Sequence, residues 1–188
     1  MKNQSGITWI SFFVRWFALG NNLLIEKLPD CLLFDMAHGA ERVRRFLEEE
    51  CIVTEVVVLD ESTRTSQMAA DALGCDVAQI AKSIVFVNEG AVVVVISGDR
   101  RVDIKKLSRL LGHKVSIANA DSVRKHTGYV IGGVPPFPHV EGVRVFPDYS
   151  LLRFEDVWTA AGTPHSVMKI DVETLKNTLD QSFIDVSK

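Results

Sequence analysis

Cysteine is scarce in this chain of 188 residues: there are three, Cys31, Cys51 and Cys75, an odd number with no Cys-x-x-Cys pair. That spacing argues against a disulfide framework, a zinc site or a thiol redox motif, and fits three small apolar fillers in a reducing, cytoplasmic protein. Neither sign of charge dominates, since 21 Lys and Arg face 24 Asp and Glu for a net charge of -3. A generally basic nucleic-acid binder is thereby disfavoured, and any RNA contact has to rest on a local patch. His38, His113, His126, His139 and His165 lack the spacing of metal ligands, so no metal is expected. A G-x-S-x-G elbow, a Walker loop and a strand-linked G-x-G-x-x-G are all missing, which sets aside several enzyme classes. The apolar stretch Ile7 to Leu19 is broken by Arg15 and followed by Asn21 and Asn22. It is too short and interrupted for a transmembrane span, and Lys2 alone makes a poor secretory n-region.

With 47% apolar residues in a chain of this length, one domain with a sizeable core is expected. Residues 1–35 read as an N-terminal extension, with an interfacial anchor as the alternative, and residues 36–188 read as the domain. Met36-Ala-His-Gly-Ala-Glu41 opens a helix in which Val43, Phe46 and Leu47 recur at helical spacing and Glu41 and Arg45 form an i,i+4 pair. Val53 to Leu59 is β-branched and reads as a strand. Thr65 is placed to cap a helix burying Met68, Ala69, Ala72 and Leu73, with Gly74 as its left-handed stop. Asp76 caps a further turn. Lys82 to Val87 and Ala91 to Ser97 flank Asn88-Glu-Gly90 and predict a hairpin. Asp103 caps a helix with Ile104, Leu107, Leu110 and Leu111 on one face, ended by Gly112.

A short strand at Lys114 to Ala118 and a helical piece from Asp121 to His126 lead to Thr127-Gly-Tyr-Val-Ile-Gly-Gly-Val-Pro-Pro-Phe-Pro138. Helices and central strands exclude that composition, so it forms a structured loop. Val143 to Phe146 returns as strand, Val157 to Ala161 and Ser166 to Ile170 pair across Gly162-Thr-Pro-His165, and a last helix comes after Asp171. The sum is an α/β chain of the α+β kind, with a mixed, mainly antiparallel sheet or partial barrel flanked by helices.

Four features bear on chemistry. Gly132 and Gly133 free the loop backbone while Pro135 and Pro136 stiffen its second half, so the loop either presents amide donors to a carbonyl or phosphate oxygen or is a tight surface turn. Lys82 stands at the mouth of a buried strand, where an ammonium either holds a phosphate or ribose hydroxyl or is merely solvated. Asp148, after Phe146-Pro147, is either an acid or water-positioning group or a turn cap. Arg100, Arg101, Lys105, Lys106 and Arg109, with Lys114, Arg124 and Lys125, offer a backbone-phosphate footprint or a solvated helix face.

Taken together and in order, Thr63-Arg-Thr-Ser66, Gly74-Cys75, Ile80-Ala-Lys-Ser-Ile-Val-Phe86, Ser97-Gly98, Gly128-Tyr-Val-Ile-Gly-Gly-Val-Pro-Pro-Phe137, Asp148 and Ala161-Gly162 resemble the YbaK/prolyl-tRNA-synthetase-associated family over roughly residues 41–179. The resemblance implies a mixed sheet or partial barrel, and deacylation of misacylated tRNA, commonly Cys- or Ala-tRNA for proline, without cofactor, metal or covalent protein nucleophile. It implies that Lys82 orients the terminal adenosine or its phosphate, that Gly132 with Pro136 places the loop against the aminoacyl carbonyl, and that Asp148 lines the pocket. Thr63, Ser97, Gly98, Tyr129 and Gly133 are the substrate-binding candidates it adds. The implied partners are aminoacyl-tRNA and prolyl-tRNA synthetase, in the cytoplasm and away from membranes. A non-catalytic module that binds aminoacyl-tRNA or a synthetase is the competing reading. Pro138 departs from the family, standing where many relatives have glycine.

Overall fold

The computed structural model describes residues 30–60, 65–88 and 90–188, with side chains from residue 38 onward. The chain divides into two compact units, Met1–Leu33 and Phe34–Lys188. Of the first, only the backbone of residues 30–33 is among those described; the second carries the whole sheet. The expectation of an extension over residues 1–35 falls largely outside the described residues.

Helix α1, Asp30–Glu49, begins six residues earlier than the polar periodicity suggests. Val43 and Leu47 bury their side chains on the core, the i,i+4 stripe that makes the helix amphipathic. The ion pairing on its outer face differs from expectation: Arg44 bridges Glu41 and Glu48, while Arg45 turns to Glu49. Strand β1 (Glu55–Val58) precedes helix α2 (Ser66–Leu73), whose N-cap Thr65 accepts from Met68 N and whose C-cap Gly74 is left-handed. The helix buries Ala69 and Ala70 and leaves Met68 exposed, so its inward face is turned by about one residue from the expected one.

A 3-10 turn capped by Asp76 leads into β2 (Ile80–Val87), paired antiparallel with β3 (Ala91–Ser97) along its whole length. Every residue of β3 is buried. A run of Val and Ile closed on both faces is the signature of a central strand, and each such side chain contributes about 2 kcal/mol of burial. Helix α3 (Ile104–Leu111) is capped by Asp103 and Gly112 and buries Leu107, whereas Ile104 and Leu110 stay exposed. Strand β4 (Ser116–Ile117) and helix α4 (Ala120–Thr127) come next, then the Gly/Pro loop, β5 (Arg144–Pro147), a 3-10 turn (Tyr149–Arg153), β6 (Asp156–Ala160), β7 (Ser166–Asp171) and α5 (Val172–Leu179).

Among the described residues, seven strands form one open sheet in the order β1-β7-β6-β2-β3-β5, with β4 added on β2. Pairing is antiparallel except between β2 and β6 and between β3 and β5. The mixed, mainly antiparallel sheet is therefore as expected, and it is not closed into a barrel. No helix among the described residues is long and apolar enough to cross a membrane.

Candidate functional site

Strand topology creates the site. On one side β2 stays paired with β3, but on the other it pairs with β6 only at Ile80–Trp158 and Ala81–Thr159. Its far end is taken by β4 at Phe86 and Val87. Between these partners the two parallel strands diverge, and a cavity of about 70 Å3 occupies the gap. Thr65, Ser66 and Ala69 of the α2 region wall one side, Ile80 to Ser83 line the β2 edge, Trp158 to Ala160 the β6 edge, and Gly132 and Val134 reach in from the loop. A larger cavity of about 500 Å3, between the end of α1 and the β6, β7 and α5 region, contains none of the candidate residues.

Lys82 is the charged residue among the described residues that line the small cleft. Its Nζ donates to Gly98 O at 2.8 Å, using one of three ammonium donors. Burial holds its pKa below the usual lysine value, with Asp99 pulling the other way and Arg101 adding to the depression. Gly98 has to be glycine here, because a Cβ would fall on the carbonyl oxygen of Val77.

Gly132 lines the cleft with φ of 85°, a left-handed conformation that disfavours any side chain. Gly133 is buried behind it, where a Cβ would stand 2.8 Å from the backbone of Thr163. Pro136 is buried as well. Tyr129 is 1% exposed and acts as a stay for the loop. Its hydroxyl donates to Pro138 O at 2.8 Å, the Arg42 guanidinium lies 4.4 Å from its ring centroid, and His139 meets it edge-on. Burial pushes its phenol up to about 12, with Arg42 pulling down. His139 is pulled down to about 4 by burial, against the opposing hydrogen bond to Pro135 O. The ring is therefore neutral at pH 7, with its proton on Nε2.

Asp148 and Ser97 lie apart from the cleft lining, both fully buried. Asp148 caps the 3-10 turn, its carboxylate accepting from Ser150 N at 2.9 Å and from Val186 N at 3.0 Å. Ser97 Oγ sits 2.5 Å from Ala78 O and 2.7 Å from Asp99, and accepts from Arg153 at 2.8 Å. Arg153 grips both oxygens of Asp99, at 2.7 and 3.1 Å, and holds that carboxyl down to about 2. Thr63 lies outside the described residues. Of the basic residues, Lys106 is tied to Asp185 and Arg100 to Asp99.

The cleft thus gathers Lys82 and Gly132; Gly98 holds the Lys82 ammonium, while Gly133, Pro136 and Tyr129 are buried in the loop outside the lining. Sequence reasoning missed Ser83 and Thr159, buried hydroxyls on its edges. The available signal was a hydroxyl at a core-facing strand position, Thr159 between Val157 and Ala161 on the inward alternation.

Residues 60–178 match the aminoacyl-tRNA editing domain. The chain belongs to the aminoacyl-tRNA editing domain family. Among relatives of this family, YwhH of Bacillus subtilis is 33% identical over 137 residues, covering 71% of this chain and 87% of its own. EbsC of Enterococcus faecalis, named for a proposed Cys-tRNA(Pro)/Cys-tRNA(Cys) deacylase activity, is 26% identical over 133 residues, 68% of this chain and 79% of that one. A crystal structure described as a proposed trans-editing enzyme for prolyl-tRNA synthetase is 38% identical with a TM-score of 0.74, covering 80% of this chain and 97% of that one. The family resemblance carried by the Ala-Lys-Ser strand and the Gly-Gly loop is met, and membership supports an aminoacyl-tRNA deacylase function.

Proposed function

We propose that this protein is a trans-acting aminoacyl-tRNA deacylase that removes a small, wrongly attached amino acid, cysteine or alanine on tRNA for proline being the first candidates. The observation that carries the proposal is a partly buried Lys82 at a small cleft roofed by Gly132, within an editing domain. Two ammonium donors beyond the one on Gly98 suit a phosphate or ribose oxygen of the terminal adenosine. The glycine backbone at Gly132 suits the ester carbonyl, whose oxygen gains negative charge as water adds.

Among its described residues the lining holds no carboxylate, imidazole or thiol, and the Lys82 ammonium is engaged as a donor to Gly98 O, so the proton acceptor is sought in the substrate. The ester is already activated, and positioning is the contribution the cleft can make. A ribose hydroxyl of the substrate then relays the proton: water adds to the carbonyl carbon, the bond to the ribose oxygen breaks, and the free amino acid and tRNA hydroxyl leave. Asp148 acts through the turn it caps rather than by touching the ester. A synthetase pocket for proline discriminates against slightly smaller side chains by only a few kcal/mol, which gives such a second sieve its purpose.

The test is a panel of misacylated tRNAs, Cys-, Ala- and Ser-tRNA among them, with wild type and Lys82→Ala. Hydrolysis that falls at least about a hundredfold in the variant is expected. Intact esters throughout, with tRNA still bound, would replace the enzyme by a binding module.

A further inference from the structure

Two side-chain oxygens of the cleft are buried without a hydrogen-bond partner among the described residues: Thr159 Oγ1 and Ser83 Oγ. Thr159 is 1% exposed. Its Cα partner across the β2–β6 pairing is Ala81, so alternation puts Thr159 and Ser83 on the same face of the sheet, that of Ala81, Val85 and Val157 in the main core. Polar groups in such surroundings are almost always paired, because leaving one unpaired costs stability without return. Nearby buried hydroxyls show what the fold does otherwise: Thr127 donates to Val123 O, and Thr163 pairs with Ser166.

The cleft lining also narrows what a ligand can offer these oxygens. Among its described residues none is acidic, so a cation such as a substrate α-ammonium finds no countercharge beside them. A neutral group that both donates and accepts matches two hydroxyls best. The volume, about 70 Å3, accommodates a side chain of a few atoms.

We infer that Thr159, assisted by Ser83, is a specificity-determining residue: its hydroxyl receives the side-chain hydroxyl of a serine-sized amino acid, so that seryl esters are cleaved in preference to alanyl esters. The inference rests on the deacylase reading and adds to it the chemistry of the accepted side chain. A pocket that leaves its own polar groups unpaired when the wrong ligand binds discriminates more strongly than an apolar one.

The deciding measurement is kcat/KM for seryl and alanyl esters on one tRNA body, with wild type, Thr159→Val and Ser83→Ala. Wild type is expected to favour serine by about tenfold, the worth of one buried hydrogen bond. In Thr159→Val the seryl rate falls by about that factor while the alanyl rate stays within about twofold. Equal losses on both esters, or no serine preference in wild type, would overturn the inference and leave the deacylase reading intact. Should neither of these esters nor the cysteinyl ester be cleaved, the deacylase reading fails. Affinities for the non-hydrolysable 3′-amide analogues, seryl against alanyl, then decide: a serine preference lost in Thr159→Val upholds the pocket, and equal or absent binding ends it. Circular dichroism of each variant checks that it has folded.

Discussion

Lys82 sits on the border between two polar groups that the fold treats in opposite ways. On one side of it, beyond the Gly98 carbonyl that its ammonium holds, Ser97, Asp99, Arg153, Ser150 and Asp148 form a chain in which hydroxyls, guanidinium, carboxylates and backbone amides find partners at 2.5 to 3.2 Å. On the other side, in the β2–β6 gap, Ser83 and Thr159 keep buried hydroxyls unpaired. A satisfied network rigidifies and holds elements together. An unsatisfied pair weakens the fold and is retained where something else uses it. Residue type alone does not distinguish the two regions, since both are built from hydroxyls beside a charge. The partner count does.

The largest effect that would sharpen this contrast comes from Asp148. Its carboxylate holds the amides of Ser150 and Val186, the second tying the C-terminal segment to the β3–β5 side of the sheet. Asp148→Ala leaves both amides buried and unpaired, and is expected to cost about 3 kcal/mol in urea unfolding. Below its lowered melting temperature the variant should keep kcat/KM within a few fold of wild type. A hundredfold loss per folded molecule, with stability unchanged, would move Asp148 from the paired region into the chemistry.

A smaller effect is expected from pH, through the loop that roofs the cleft. Burial lowers His139 to about 4 in the folded protein, against about 6.5 in the unfolded chain. The folded pKa is the lower, so this contribution to stability is complete above pH 6.5 and is lost as the unfolded state takes up its proton between 6.5 and 4. From pH 7 to pH 5 the loss is about 2 kcal/mol, and His139→Gln should remove that part of the pH dependence. A wild type and variant with parallel pH profiles would show that the ring titrates freely in the fold.

How much of this was legible in the sequence depended on how local each cause is. The caps Thr65, Asp76, Asp103 and Asp171 and the stops Gly74 and Gly112 act within one turn of their own position, and all six stand where their spacing puts them. The β2–β3 hairpin is equally local. The inward face of α2 was less so, because an eight-residue helix can roll by one residue without altering its pattern, and here Ala70 rather than Met68 and Ala72 turns inward. Lys82 and Gly132 were readable as chemistry from residue type and order. Thr159 was not, since its significance arises only when β6 lies parallel to β2 nearly eighty positions earlier and then diverges from it. Asp148 was visible as a carboxylate after a proline, but its second partner is Val186, 38 residues away.

The smallest effect has the opposite sign to the others and probes the unpaired region directly. Thr159→Val keeps the β-branch and nearly the volume, so the side chain still fits its buried position, and it exchanges an unpaired hydroxyl for a methyl. Removing a buried polar group that has no partner relieves its desolvation cost, so the variant should unfold up to about 1 kcal/mol later than wild type while losing its discrimination for serine. Stability gained where selectivity is lost is the relation expected of a group kept for its ligand. A Thr159→Val protein that is less stable than wild type would mean that the hydroxyl is satisfied in solution, and the two regions would then differ in position rather than in kind.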